Sequence, residues 1–247
     1  MGVIEFPSGR TVLAQQPLSQ YEIADNLPGV PVLPETLLKM ELQFQGSSVD
    51  LRGFSEAVLS DLGATIQVLR LAGHEYGSAD DRPVRIEDCI SDLGAGACLA
   101  AAANATLAGG ARSRTSVEFW AHCREIAYFS QLLADEMAGM INPDHAYLAG
   151  LLHGIGAIPT ILGWKLDDIA GEESLSALML AERWQFPLFL KDFFYETLTP
   201  GHYSRWSKLI AIAHQLAKES GTQCSLDASA VRSFEWIGKT SAVATKH

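Results

Sequence analysis

The sequence predicts an all-α fold, and three observations support this class. Apolar residues recur at steps of three and four over most of the 247-residue chain, which is the spacing of amphipathic helices. Residues that start and stop helices bracket these segments. No segment alternates apolar and polar residues over a convincing strand length, and no internal repeat is visible.

The N-terminal half begins with a weakly periodic lead-in, residues 1–24. Pro34 then fits the first turn of a helix that begins near Glu35, because proline is favoured at the first helical position. The apolar run from Leu51 to Leu69 follows, and Gly63 with its neighbouring residues is predicted to divide it into two helices. Further on, "LGAGA" (93–97) follows a helix-like segment rather than a strand, so it predicts a turn between helices and not a phosphate-binding loop.

The C-terminal half opens with the clearest long helix, for which Ser116 is a plausible N-cap. Asn142 and Pro143 then form a strong helix start, as N-cap and first helical residue. Two further helices are predicted, one from Ser174 that ends before Pro187, and one that Gly221 stops.

The stretch "GGARSRT" (109–115) is the predicted boundary between two helical lobes. We expect an N-terminal lobe over residues 25–112, a C-terminal lobe over 113–238 and a flexible tail over 239–247.

Composition limits the classes of partner. Hydrophobic residues make up 48% and charged residues 19% of the chain, so a large core is expected. The net charge of -11 disfavours nucleic acid as a partner, because it repels phosphate backbones. No secretory signal or membrane-length apolar run is evident, so a soluble cytoplasmic protein without a membrane partner is expected. The four separated cysteines are expected to be buried thiols.

Three histidines are predicted to point inward from three separate helices, and they are His122, His153 and His214. His153 shares its helical face with the small residues Ala146, Ala149 and Gly150, which would let a neighbouring helix come close. Imidazoles from three helices can form a zinc, nickel or iron site. The more frequent explanation is three core histidines, each hydrogen-bonded to a neighbouring group. The other four histidines (74, 145, 202 and 247) are predicted to lie on the surface.

Six segments, in order, resemble motifs of the HDOD family, helical bacterial proteins related to the HD-type metal-dependent phosphohydrolases. The most informative are "FWAHCREIAYFSQLLA", which resembles the family's Trp-x-His-Ser-x-x-x-Ala helix, and "AYLAGLLHGIG", which resembles its His-Asp-Ile-Gly signature. The others are "LPGVPVLPETLLKM", "LRLAGHEYG", "RPVRIEDCISDLG" and "ERWQFP". The resemblance implies a two-lobed HD-domain-like fold in which residues 25–238 form one HDOD domain.

The resemblance also implies how far the chain departs from a metal-dependent hydrolase. His122 and His153 match metal-binding histidines of the related enzymes, and His214 lies near the place of their last aspartate. Gly154 stands where the His-Asp doublet has its carboxylate. No acid is therefore available there to bind or bridge metal, and we expect no catalytic residue, no bound metal and no cofactor. Gly73 and His74 also replace the family's Asn-Ser pair.

The function that the resemblance implies is a non-catalytic regulatory module of bacterial signal transduction that contacts separate signalling proteins. Its oligomeric state is not predicted. The expected working surfaces are the groove between the lobes and an aromatic patch formed by Trp206, Phe193, Phe194 and Tyr195. The last three belong to a larger aromatic group that is expected mostly to pack in the core, with part of it facing a partner. The alternatives are a degenerate phosphohydrolase, or a metal or nucleotide sensor, built on the three histidines.

Overall fold

The computed structural model describes residues 27–44, 49–77, 83–109, 114–137, 139–164, 177–198 and 204–219, together with two short strands. The strands, Ile4–Glu5 (β1) and Thr11–Val12 (β2), pair antiparallel. All other regular elements in these ranges are helical, so the all-α prediction is confirmed. The predicted tail 239–247, the rest of the lead-in 1–24, Ser174 and Gly221 lie outside the described residues.

Eleven α-helices lie in the described part of the chain. In order they are Pro34–Leu42 (α1), Leu51–Leu59 (α2), Leu62–Tyr76 (α3), Ile86–Leu93 (α4), Ala95–Gly109 (α5), Arg114–Glu136 (α6), Pro143–Leu152 (α7), Ile158–Leu162 (α8), Ala177–Arg183 (α9), Leu188–Leu198 (α10) and Arg205–Glu219 (α11). A 3₁₀ turn, Ile155–Ala157, joins α7 to α8. Helices α1–α5 pack against one another, and α6 packs against both α7 and α11.

The helix ends show which local signals determine the chain path. Pro34 occupies the first position of α1, as predicted. The side chain of Asn142 accepts hydrogen bonds from the amides of Asp144 (2.9 Å) and His145 (3.2 Å), which satisfies two donors at the start of α7. Gly94 has a φ of 84° and ends α4, so the glycine-containing segment is the predicted turn between helices.

The predicted break of the run from Leu51 to Leu69 into two helices is confirmed, whereas the predicted N-cap Ser116 is wrong. The break between α2 and α3 lies at Asp61, whose carboxylate accepts hydrogen bonds from the amides of Ala64 (3.0 Å) and Leu33 (2.7 Å). Gly63 lies inside α3, where a Cβ would collide with the carbonyl oxygen of Pro31. This glycine therefore permits a close approach and does not break the helix. Ser116 is not an N-cap, because α6 begins at Arg114 and Ser116 is fully buried within it.

One contiguous hydrophobic core includes side chains from both halves of the chain, from Phe54 in α2 to Ala213 in α11. A smaller cluster of Ala134, Ile141, Ala146 and Leu209 joins α6, α7 and α11. The segment Pro143–Leu162 is, by length and composition alone, apolar enough to cross a membrane, which the sequence reading did not anticipate. Because 67% of its most apolar 18-residue window is buried inside the fold, it has the burial of a core helix.

Candidate functional site

The three predicted inward histidines converge on one point of the fold. His122 lies in α6, His153 directly follows the last residue of α7, and His214 lies in α11. Each offers a ring nitrogen, and the three nitrogens lie within 4.8 Å of one another. The ring centroids are separated by 5.4 Å (122 to 153), 5.0 Å (122 to 214) and 4.9 Å (153 to 214). We call these three side chains the histidine cluster.

A close crossing of α6 and α7 brings the cluster together. A Cβ on Gly150 would lie 2.7 Å from the Cα of Ala127 and 2.7 Å from Oγ of Ser130, both in α6. Only a residue without a side chain allows this distance. The small-residue face predicted for α7 is therefore confirmed at Gly150, and it places His153 against α6.

The orientation of the His153 ring is fixed by its own helix. Its Nδ1 lies 2.6 Å from the carbonyl oxygen of Gly150. A carbonyl only accepts hydrogen bonds, so Nδ1 must carry the proton. In the neutral ring, Nε2 then carries the lone pair, and this atom is buried.

All three histidines are held in the neutral form. Burial lowers the pKa of His153 well below its ordinary value of 6.5, and the neighbouring His214 and His122 act in the same direction. Burial lowers the pKa of His214 to about 3, with a further contribution from His122. Burial also lowers the pKa of His122, which the carboxylate of Glu125 partly opposes. Neutral imidazoles are the form that binds metal ions.

The cluster itself contains no carboxylate. Gly154 occupies the position next to His153 and begins the 3₁₀ turn with a φ of -99°, so the backbone there is open to residues other than glycine. Glu125 interacts electrostatically with His122 from one helical turn away. The sequence reading missed this residue, although a step of three along a helix places two side chains on one face.

A comparison with protein-family models determines the family of the chain. The model of the HDOD domain matches residues 30–165, more than half of the chain. The chain belongs to the HDOD family. The match includes His122, His153 and Gly154 and ends before His214, so the third histidine comes from a part of the chain outside the family match.

Solved structures show that this HDOD protein has an HD-domain-like helical fold. One is MmoQ, a response regulator from Methylococcus capsulatus, with 18% identity over 84% of this chain and 94% of that one, at a TM-score of 0.63. A second structure, of MmoQ fragment 20–298, has 20% identity over 83% of this chain and 91% of that one, at a TM-score of 0.59. A virulence factor from Campylobacter jejuni is also similar, with 20% identity over 85% of this chain and 92% of that one, but its TM-score of 0.48 is too low to support the fold assignment. No curated protein matches the chain.

The structure corrects the predicted aromatic partner surface. Phe193 and Phe194 are each only 1% exposed and belong to the core, because they lie on the inward face of α10. Trp206 is half-buried and packs edge to face on Phe193, with centroids 5.6 Å apart. Tyr195 is exposed. Three of these four residues therefore stabilise the C-terminal half, and one remains available as a surface residue.

The four histidines predicted to lie on the surface have different outcomes. His74 is exposed in the last turn of α3. His145 is half-buried and stacks on Phe189, with the ring centroids 4.0 Å apart and the planes at 18°. Its surface assignment is wrong, because α10 covers the start of α7. The remaining two, His202 and His247, lie outside the described residues.

A groove of about 540 Å³ lies between the two halves of the HDOD protein. Helices α2 and α4 form one wall, and α6 and α7 form the other. Its charged side chains have both signs, and Arg85 bridges the walls through an ion pair with Asp144 (2.9 Å). Other residues that line the groove include Arg52, Glu56, Glu87, Gln131 and Tyr147.

The departure at Gly73 has a packing reason. A Cβ at this position would lie 2.8 Å from the carbonyl oxygen of Gln185 and 2.9 Å from that of Trp184. The turn after α9 therefore approaches α3 so closely that an asparagine would not fit. At the same crossing the guanidinium of Arg70 lies over the Trp184 ring, 5.5 Å from its centroid, and Arg70 is only 5% exposed. The sequence reading missed this buried cation.

Proposed function

We propose that this protein is a non-catalytic, cytoplasmic regulatory module of bacterial signal transduction that works through contacts with other proteins. The observation that carries the proposal is Gly154, which leaves the buried histidine cluster without the carboxylate of a His-Asp doublet. The name of MmoQ as a response regulator supports a signalling role for a protein of this fold.

The physical argument against hydrolysis concerns charge. A two-metal hydrolase needs anionic ligands that bridge the ions and offset their charge. The histidine cluster offers three neutral rings, and Glu125 acts on His122 from one turn away. Two dications held by such a donor set would repel each other in a buried place where solvent screens them little. We therefore expect no two-metal phosphoester hydrolysis.

The surface that we assign to partner binding is the groove between the halves. It has both cationic and anionic side chains, including Arg52 and Glu56 on one wall and Asp144 on the other. Mixed charges of this kind favour a specific protein surface over nucleic acid or lipid, since complementary charges set register and orientation. Gln131 and Tyr147 add neutral hydrogen-bonding groups to the same groove.

Hydrolysis is tested directly on the purified full chain. We expect no turnover of bis(p-nitrophenyl) phosphate or of nucleotides with Mn²⁺, Ni²⁺ or Zn²⁺, and no difference between the wild type and His153→Ala. The convergence of three histidines is the observation that favours a degenerate phosphohydrolase instead. That second candidate would be supported, and our proposal overturned, by turnover that His153→Ala abolishes.

The contact surface is tested by photo-crosslinking in the native host. A photoreactive residue at Gln131, in the groove, is expected to give a discrete adduct with another protein. The matched control is the same residue at Lys218, which is exposed on α11 and lies outside the groove. Equal adduct patterns from both positions would contradict the assignment of the groove as the partner surface.

A further inference from the structure

We propose that His122, His153 and His214 together bind one divalent transition-metal ion of the zinc class, through three imidazole nitrogens and with one coordination position open. This site goes beyond the proposed function, which requires no metal. Its donors are all nitrogen, whereas the metal sites of the related hydrolases include carboxylates. The third donor, His214, lies outside the family match.

The geometry is the first support. Zinc bound by imidazole has Zn–N distances near 2.0–2.1 Å, so tetrahedral ligand nitrogens lie about 3.3 Å apart. The cluster nitrogens already lie within 4.8 Å of one another. These separations must shorten when the metal binds, and we expect this to come from rotation of the His122 and His214 side chains, which are both half-buried.

The orientation of His153 is the second and independent support. Histidines that bind metal usually donate their other ring N–H to a carbonyl or carboxylate, which fixes the tautomer and the ring plane. The contact of 2.6 Å between Nδ1 of His153 and the Gly150 carbonyl oxygen has this arrangement. It comes from the end of α7, and the crossing at Gly150 holds that end against α6. The ligand is therefore oriented by the backbone.

The chemistry of the donors selects the metal. Three neutral nitrogens suit Zn²⁺, Ni²⁺, Cu²⁺ and Co²⁺, whereas Mg²⁺, Mn²⁺ and Ca²⁺ prefer oxygen ligands. The bound ion would keep most of its positive charge, because the three ligands are neutral. We therefore expect the fourth position to take water or a small anion, from the side where His122 and His214 remain partly exposed.

The test is a titration of the chelator-treated full chain with Co²⁺, followed by its visible spectrum. We expect one equivalent of Co²⁺ to give the intense absorption bands of a tetrahedral site. Zn²⁺ should abolish the bands, and excess Mg²⁺ should not. Loss of a residue that only hydrogen-bonds a metal ligand lowers the metal affinity roughly 10- to 100-fold. His122→Gln and His214→Gln each remove a ligand, so each should lower the Co²⁺ affinity by more than that. The matched control His74→Gln, at an exposed histidine on α3, should bind as the wild type does.

The two glutamine variants retain much of the imidazole volume, and their thermal unfolding without metal shows whether they fold. Absence of stoichiometric Co²⁺ binding by the wild type would overturn the proposal. Unchanged binding by folded His122→Gln and His214→Gln would also overturn it. Metal binding without hydrolysis leaves the proposed function intact, whereas metal-dependent hydrolysis would overturn that function and support this site.

Discussion

At two places in this molecule a glycine lets another backbone segment approach a helix closely, but the side chains buried beside the two glycines differ in charge. At Gly150, α7 meets α6 and positions three neutral histidines. At Gly73, α3 meets the turn after α9, beside the permanently charged guanidinium of Arg70 over the Trp184 ring. Both approaches bury a nitrogen-rich group, but the first holds neutral imidazoles and the second holds a guanidinium cation.

This difference separates the roles of the two regions. The cation at the Gly73 approach is offset by the face of an aromatic ring, an arrangement that stabilises packing and leaves no lone pair for a ligand. The Gly150 approach brings three lone-pair donors together. A departure from a family motif can therefore have either meaning, since Gly154 removes a chemical group and Gly73 makes room for backbone.

The largest expected effect is that of Gly150→Ala. The added Cβ would lie 2.7 Å from the Ala127 Cα and 2.9 Å from the Ile126 carbonyl oxygen, both in the backbone of the 23-residue α6. The backbone in the middle of a helix cannot shift locally, so the added Cβ would force α6 and α7 apart. Overpacking of this kind costs about 3 kcal/mol, from which a helical gain of about 1 kcal/mol is subtracted. Urea unfolding should show a net loss of about 2 kcal/mol.

The matched control for that variant is Gly96→Ala in α5. The nearest atom to its added Cβ is the Cζ of Phe44 at 3.5 Å, which is ordinary contact. We expect unchanged or slightly higher stability, because alanine favours the helix. Equal stability of the Gly150 and Gly96 variants would contradict the interpretation of α6–α7 as an over-close crossing.

A smaller effect is expected for Gly73→Ala. Its Cβ would lie 2.8 Å from the Gln185 carbonyl oxygen, but Gln185 is exposed and lies in a turn after the last residue of α9. That turn can shift towards solvent, so we expect a net loss of about 1 kcal/mol in the free energy of unfolding. Co²⁺ binding should be unaffected by Gly73→Ala and weakened by Gly150→Ala. The opposite order in either measurement would contradict the comparison.

The sequence predicted one of these two regions and missed the other, for a physical reason. The small-residue face of α7 and the inward His153 follow from helical periodicity, which is a local property. The aromatic group around Phe193 and Phe194 was expected to lie mostly in the core, but the sequence did not show which of its members face solvent. The approach of Gln185 to Gly73 joins residues more than a hundred positions apart, and no local pattern encodes it. Glu125 beside His122 was within reach of sequence reasoning, because one helical turn separates them.

The acid dependence of stability should distinguish the two regions most clearly. The unfolded chain binds protons at its histidines below pH 6.5, whereas folded His214 does so only near pH 3. The unfolded state therefore binds more protons between these values, and the free energy of unfolding falls as the pH falls, by about 1.4 kcal/mol per pH unit for each such histidine. Chelator must be present, since a bound metal would hold the rings neutral.

Urea unfolding at pH 6.5, 5.5 and 4.5 measures this dependence in the wild type, His214→Gln and Gly73→Ala. Carboxylates add to the acid sensitivity of every variant, so the difference between wild type and His214→Gln isolates the histidine contribution. We expect His214→Gln to have the shallower pH dependence. Gly73→Ala should retain the wild-type dependence, because Arg70 stays protonated throughout. If the stability of His214→Gln depended on pH as that of the wild type does, the cluster would be solvated and would already titrate near pH 6.5 in the folded protein.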